Sequence, residues 1–355
     1  MKAVVLAGGV GTRLRPLTYS MPKQLIPVGG RPVLSHVLRN IAECGITEVV
    51  VITSPESHGH ISTFLGSTDQ SLQHTLIVQE QPRGLADAFR LALPHLGGES
   101  SLMYLGDCLL TGGVRHVIDE HLRSGASATV LVKEVDDPSR YGIVELGHDG
   151  RVSRLVEKPL VPATNLAIVG VYVFGPSITE SVEAIRPSSR GEYEITDAIQ
   201  HLVDQGGEVR PSFLSGWWMD TGTVGDVLAA HELLMANMGH DIQGQLDNCD
   251  ISGPVAVEEG AIVSGSSLTG PVIIGRNAVV SNSRIGPFVD IQRGVSVKKS
   301  EIMRSIVMTD VEASSVKLRR SIVGPGSRIS SSEDHGWSEL VVGADSFVDW
   351  ASQSG

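Results

Sequence analysis

The stretch KAVVLAGGVGTR, Lys2 to Arg13, sets a short β-branched apolar run directly before a loop of three glycines. Lys2 to Ala7 has the composition of a buried parallel strand. Without Cβ atoms, Gly8, Gly9 and Gly11 can take positive φ and let a phosphate rest on backbone N–H groups. Arg13 and, further on, Lys23 add full positive charges, so the favoured guest is a polyanion. The glycines alone fit a tight strand-to-helix turn equally well. Two phosphate loops are excluded: Leu14 stands where the dinucleotide fingerprint needs its third Gly, and no Gly-Lys-Ser/Thr closes a P-loop.

Outward from this loop, Val33 to Gly45 carries Val33, Val37, Leu38 and Ile41 at helical spacing, and Glu48 to Thr53 is a second buried strand. Strand, helix and strand predict a βαβ unit of a parallel sheet, with ligands beyond the carboxyl ends of the strands. A short helix is expected over Gly59–Leu65, with His58 and His60 solvated beside a loop. Leu76–Val78 begins a third strand and Gln79–Ala88 a turn that opens a helix. Ser101–Leu105 is a strand that delivers Asp107 at its end, where a carboxylate is a plausible Mg²⁺ ligand or a helix cap. Val114–Leu122 is read as a helix, Ala128–Glu134 as a strand, and Tyr141–Glu145 with Arg151–Val156 as a hairpin. Asn165–Phe174 is a strand, Thr196 or Asp197 caps the helix that follows, and Val224–Met238 is a further helix.

From Cys249 the chain loses helical periodicity and becomes Gly-punctuated and aliphatic. Ile273, Val279, Ile285, Ile291 and Val297 recur every six residues, as do Ile251 with Val257 and Ile262 with Leu268, with phase slips between the sets. This predicts a hexapeptide β-helix whose inward aliphatic side chains stack from coil to coil. The repeat fades near Ile329, leaving Glu333–Gly355 as a cap or tail. Hexapeptide solenoids also carry acyl transfer, but the lone His from Cys249 onward is His335, outside the repeat. An assembly or allosteric role is favoured, and exposed aliphatic rows predict a homo-oligomer.

The length of 355 residues predicts two domains, which we place at 1–240 and 241–355. Aromatic residues are only 4%, so the core is aliphatic, as α/β layers or a solenoid require. A net charge of −12 argues against nucleic-acid or anionic-membrane partners, which need a basic footprint. Cys44, Cys108 and Cys249 are too scattered for a disulfide framework or zinc site. With no signal peptide or membrane-length apolar run, a cytoplasmic location is expected.

The longer string G-G-x-G-T-R-L-x-P-L-T followed by P-K-Q-L-I-P-V resembles the signature of the sugar-1-phosphate nucleotidyltransferases. The resemblance continues through Q-x-x-x-x-G-L-A, G-D, E-K-P, R-G-E-x-E-I-T-D, W-W-x-D-T-G and the hexapeptide tail. Among these families it is nearest the long-form glucose-1-phosphate thymidylyltransferases. It implies a Rossmann-like, mostly parallel α/β catalytic domain followed by a left-handed parallel β-helix. It implies dTTP and glucose 1-phosphate as substrates, dTDP-glucose and pyrophosphate as products, and Mg²⁺ as cofactor. UTP, another sugar 1-phosphate, an added acetyl transfer by the solenoid, and a non-catalytic nucleotide-sugar-binding subunit are the alternatives.

Site roles follow from the same resemblance. Leu6, Gly8, Gly9, Gly11, Thr12, Arg13, Gln24, Gln79, Gly84, Leu85 and Asp107 bind nucleotide. Tyr141, Gly142, Glu157, Lys158, Gly170, Tyr172 and Arg190 bind the sugar phosphate. Asp107 and Asp220 hold the metal, and Arg13, Lys23, Asp107 and Lys158 are catalytic. Cys108, where the family usually has Asn, and Met219, where Lys is frequent, depart from the pattern.

Overall fold

The computed structural model describes residues 1–68, 72–332 and 336–350. The chain forms two compact units: Met1–Val10 with Val33–Asp220, and Gly11–Pro32 with Thr221–Gly355. Among the described residues no helix is long and apolar enough to cross a membrane.

The chain opens with β1 (Lys2–Leu6); β2 (Pro27–Val28) and β3 (Arg31–Pro32) belong to the second unit. The first unit continues through α1 (Val33–Ala42), β4 (Glu48–Thr53), α2 (Pro55–Ser67), β5 (Gln73–Val78), α3 (Leu85–Leu96) and β6 (Ser101–Leu105). It goes on through β7 (Cys108–Leu110), α4 (Arg115–Ser124), β8 (Ala128–Glu134), β9 (Gly142–Leu146), β10 (Val152–Glu157) and β11 (Leu166–Phe174). It closes with α5 (Ile178–Ala184), α6 (Ile195–Asp204), β12 (Val209–Phe213) and β13 (Trp218–Asp220).

The main sheet runs β10-β9-β11-β6-β1-β4-β5, with β8 on β11 and β12 on β8. β6, β1, β4 and β5 are parallel, as the βαβ pattern predicts, and β11 runs antiparallel to β6. This is a Rossmann-like α/β sheet, as expected. All nine residues of β11 are buried, each large aliphatic side chain contributing about 1.5–3 kcal/mol.

Two local expectations change. The helix expected at Gly59 begins at Pro55, because Ser54 and Ser57 cap each other's backbone N–H groups, so His58 and His60 lie on α2. Neither Thr196 nor Asp197 is the N-cap of α6; Glu194 is, and Thr196 lies buried in the first turn.

In the second unit α7 (Val224–Met235) precedes a solenoid of three parallel sheets of seven, seven and five strands, a left-handed parallel β-helix. The inward register differs from the six-residue reading. Ile285, Ile291 and Val297 point inward with Val257 and Leu268, but Ile262 and Val279 are 43% exposed and Ile273 is only partly buried. Val272, Ile274, Val263 and Val280 fill the core in their place. The reason is coil length. Val255 pairs with Val272 and Val272 with Val289, a seventeen-residue step, and Ile306 pairs with Ile322, a sixteen-residue step. Three full hexads would need about eighteen, so each short coil shifts the phase at a corner. The solenoid also continues past Ile329: Val341–Val342 and Phe347–Trp350 pair with the preceding coil after a nineteen-residue step from Ile322 to Val341. His335 lies outside the described residues.

One column inside the solenoid is polar. Ser283 N donates to Ser266 Oγ at 3.0 Å, Ser300 N to Ser283 Oγ at 3.1 Å, and Val316 N to Ser300 Oγ at 3.2 Å. Each hydroxyl in turn donates to the carbonyl two residues before it, so these buried groups are satisfied.

Candidate active site

In the first unit the chemistry gathers beyond the carboxyl ends of β1 and β6. Gly106 N donates to the Leu6 carbonyl at 2.9 Å, and a Cβ on Gly106 would stand 3.0 Å from that oxygen. The strand therefore closes against β1 before Asp107. β7 then pairs antiparallel with β13, and Asp220 lies directly across from Cys108. Asp107 and Asp220, far apart in sequence, thus become neighbours. The buried Cys108 thiol reports it. Burial pushes its pKa up, and the charges of Asp107 and then Asp220 push it further. The thiol donates to the Val169 carbonyl at 2.9 Å, beside Gly170. Gly170 sits at φ 88° within the register shift of β11, where a Cβ would stand 2.8 Å from Leu105 Cδ1.

Leu6 is buried at the end of β1, and Gly8 leaves room for a Cβ 3.4 Å from Ser54 N. Of the three loop glycines only Gly11 takes positive φ, 67°. The expectation of positive φ at Gly8 and Gly9 is therefore corrected.

After β5, the Gln79 amide donates to the Gly84 carbonyl at 3.3 Å and the Asp87 carboxylate at 2.9 Å. Asp87 is buried and pairs with Arg90, which lies over the Tyr193 ring. Gly84 has φ 106°, and a Cβ there would stand 2.5 Å from the Tyr193 carbonyl oxygen. Ala86 N donates to that same carbonyl at 3.0 Å, so the start of α3, with Leu85, is pinned to the Arg190–Asp197 segment.

The sugar-phosphate candidates form a second group. A Cβ on Gly142 would stand 2.9 Å from Thr196 Cγ2 and 3.0 Å from Glu157 Oε2, and Thr196 Oγ1 donates to that oxygen at 3.3 Å. Lys158 holds φ 40°, a left-handed conformation that a non-glycine residue rarely takes; its N–H donates to the Tyr141 carbonyl at 3.1 Å. Its Nζ lies 3.6 Å from Glu157 Oε1. The Tyr141 ring packs on Trp218, centroids 4.8 Å apart. Arg190 pairs with Glu157 at 3.5 Å, Glu192 at 3.5 Å and Glu194 at 3.2 Å. Burial, with the Glu157 charge, raises the carboxyl pKa values of Glu194 and Asp197. Tyr172 is buried beside Phe174, and burial followed by the Glu157 charge pushes its hydroxyl pKa up.

Gly11, Thr12, Arg13, Lys23 and Gln24 lie in the second unit. Thr18 Oγ1 donates to the Gly11 carbonyl at 2.8 Å, and a Cβ on Gly11 would meet Lys23 Cβ at 3.1 Å. Arg13 is exposed, whereas Gln24 is buried with its side-chain oxygen unpartnered.

Sequence reasoning missed Asp87, Glu194 and Thr196 as supports of Gln79, Arg190 and Glu157. The signal for Asp87 was its place in the first turn of α3, eight residues after Gln79. As candidate metal ligands Asp107 and Asp220 offer two carboxylates, and among the described residues no group of three or more His, Cys, Asp and Glu could hold an ion. Two carboxylates completed by phosphate oxygens and water suit Mg²⁺.

Comparison with known proteins agrees with this geometry. The Nucleotidyl transferase family profile matches residues 2–237. A glucose-1-phosphate thymidylyltransferase from Streptomyces antibioticus is 41% identical over 337 residues, 94% of each chain. One from Streptomyces griseus is 39% identical over 94% of this chain and 95% of its own. A Bacillus anthracis structure assigned to the same activity superposes with a TM-score of 0.63 at 32% identity, covering 68% of this chain and 97% of its own. With a Rossmann-like sheet, two convergent aspartates and a family match over residues 2–237, the chain belongs to the Nucleotidyl transferase family.

Proposed function

We propose that this sugar-1-phosphate nucleotidyltransferase transfers a thymidylyl group from dTTP to glucose 1-phosphate, giving dTDP-glucose and pyrophosphate. The observation that carries the reading is the pairing of Asp220 with Cys108, which brings a second carboxylate beside Asp107. The two Streptomyces relatives, matched over nearly their full length, support the choice of base and sugar.

The reaction forms one bond and breaks one. A phosphate oxygen of glucose 1-phosphate, already anionic, attacks the α-phosphorus of dTTP, and the bond from that phosphorus to the β-phosphate oxygen breaks as pyrophosphate leaves. No general base is needed, so positioning and charge carry the catalysis. Asp107 and Asp220 would hold Mg²⁺, which would supply charge neutralisation for the triphosphate. Gly8, Gly9, Gly11, Thr12 and Arg13 cradle the triphosphate, and Lys23 stabilises charge at the α-phosphorus. Leu6, Gln24, Gln79, Gly84 and Leu85 receive the nucleoside. Lys158 is the main cation for the sugar phosphate, because it faces one carboxylate where Arg190 faces three. Tyr141, Gly142, Glu157, Gly170 and Tyr172 shape the sugar site. The functional division is placed at 240/241, with the solenoid serving assembly.

Pyrophosphate release measured with five nucleoside triphosphates against several sugar 1-phosphates tests this. The expected result is the highest kcat/KM for dTTP with glucose 1-phosphate. A preference for UTP or for another sugar reassigns the substrate, and no release from any pair sinks the enzymatic reading in favour of a nucleotide-sugar-binding subunit.

A further inference from the structure

The Gly11–Pro32 segment lies in the same compact unit as α7 and the solenoid, and it is seated there at both ends. At one end, Gly29 and Gly30 join β2 to β3 with φ 57° and 82°, the two positive values of a type I′ hairpin turn. Gly29 N donates to His231 Nδ1 at 3.0 Å, and the Gly30 N–H donates to the Asp290 carboxylate. A Cβ on Gly29 would stand 2.8 Å from Leu234 Cβ, and one on Gly30 2.9 Å from Ile273 Cδ1. The hairpin tip is held between α7 and the solenoid, where a side chain at Gly29 would collide with Leu234. At the other end, Ala344 N donates to Ser20 Oγ at 3.4 Å, and a Cβ on Gly343 would stand 3.0 Å from the Pro16 carbonyl oxygen.

Asp290 and His231 are the two buried polar side chains that meet this turn. Asp290 is the middle residue of the strand Val289–Ile291, aligned with Ile273 in the coil before and Ile306 in the coil after, and it is buried. A buried carboxylate between aliphatic neighbours is unfavourable unless hydrogen bonds compensate. Gln292 Nε2 at 3.4 Å supplies one and the Gly30 N–H another. His231 is fully buried, and burial pushes its pKa down to about 4. The ring is therefore neutral near pH 7, and Nδ1 can accept from Gly29. Two buried polar side chains on separate elements thus converge on consecutive N–H groups of one turn.

We propose that Asp290 and His231 are positioning residues for nucleotidyl transfer: through the Gly29-Gly30 turn they fix the segment bearing Arg13 and Lys23, so the solenoid governs how the triphosphate is held. This rests on the reading of that segment as the triphosphate cradle.

The test uses the full chain with Asp290→Ala, Asp290→Asn and His231→Leu. Each substrate is varied separately in the kinetics, and hydrogen exchange is followed over residues 11–32 and over β1. In Asp290→Ala, kcat/KM for the triphosphate is expected to fall at least tenfold while KM for the sugar phosphate stays within twofold. Exchange protection should be lost over 11–32 and kept in β1. His231→Leu should behave likewise, and Asp290→Asn, whose amide oxygen can still accept from Gly30, should restore most of both readouts. Folded Asp290→Ala and His231→Leu proteins with wild-type protection and triphosphate kinetics would overturn the proposal. So would lost protection with unchanged kinetics, or equal losses for both substrates. Because exchange needs no turnover, a wild type that releases no pyrophosphate is recognised separately: it sinks the functional reading and the positioning role with it, whatever the exchange shows.

Discussion

Gln79 donates its side-chain amide to the carboxylate of Asp87 at 2.9 Å. It also donates to the Gly84 carbonyl. Both partners only accept, so the amide nitrogen must face them and the oxygen is turned away. If Gln79 meets the base as proposed, an oxygen so turned would accept from the imide N–H of thymine or uracil, whereas cytosine and adenine present a lone pair at the corresponding ring nitrogen. Asp87→Asn offers Gln79 a competing amide and releases that orientation. The expected result is a roughly tenfold fall in kcat/KM for dTTP, about 1.4 kcal/mol, close to one hydrogen bond. CTP should gain relative to dTTP in the same triphosphate panel.

Asp107 and Asp220 both act on the one buried Cys108 thiol, and on the proposed metal reading each would supply half of the protein charge for the cation. Asp107→Asn and Asp220→Asn should each lower kcat by roughly a thousandfold, the several kcal/mol that a bound divalent ion contributes to charge stabilisation. A chelator should silence the wild type, and added Mg²⁺ should restore it. Normal turnover by Asp107→Ala in Mg²⁺ would remove the metal role from this residue.

Lys158 holds its left-handed backbone while its ammonium faces Glu157. Such strain costs about 1–3 kcal/mol and persists where the surroundings over-determine it. Lys158→Gly relieves the strain and removes the cation together. KM for the sugar phosphate should rise by roughly tenfold or more, KM for the triphosphate should stay, and the melting temperature should hold or rise. A lower melting temperature with unchanged KM would assign Lys158 a purely structural part.

Asp290 carries a carboxyl that burial pushes up to about 7 from its usual 3.8. The folded protein therefore binds a proton there that the unfolded chain releases between those values. Its contribution is fully present below pH 3.8 and is lost as pH rises towards 7. His231, pushed down from 6.5 to about 4, works in the opposite sense: its neutral buried ring favours folding above 6.5, and this is lost as pH falls through that range. Asp290→Asn removes the first effect alone. The melting temperature of Asp290→Asn relative to wild type should thus be higher at pH 8 than at pH 5.

Much of the catalytic unit was legible because its strands are short aliphatic runs broken by glycine. Ser101–Leu105 could be placed, and Asp107 with it, from local composition. The convergence of Asp220 on Asp107 depends on an antiparallel pair, β7 with β13, that no local pattern announces. The solenoid was legible as a class, but its inward faces were not: a seventeen- or sixteen-residue coil moves Ile262, Ile273 and Val279 out of the core that a strict six-residue count assigns them. Gln79 could be singled out as an amide. Which end it presents depends on Asp87, whose burial comes from tertiary packing.

The seating of Gly30 on Asp290 and of Ser20 on Ala344 also imposes an order in time. A ribosome adding about 5–20 residues per second takes on the order of 13–50 s to travel from Gly30 to Asp290, and longer to reach Ala344. For that interval the segment with Arg13 and Lys23 has been synthesised but lacks the surfaces on which it settles. The segment is thus made well before the surfaces that seat it, and a nascent chain stalled before Asp290 cannot settle it there.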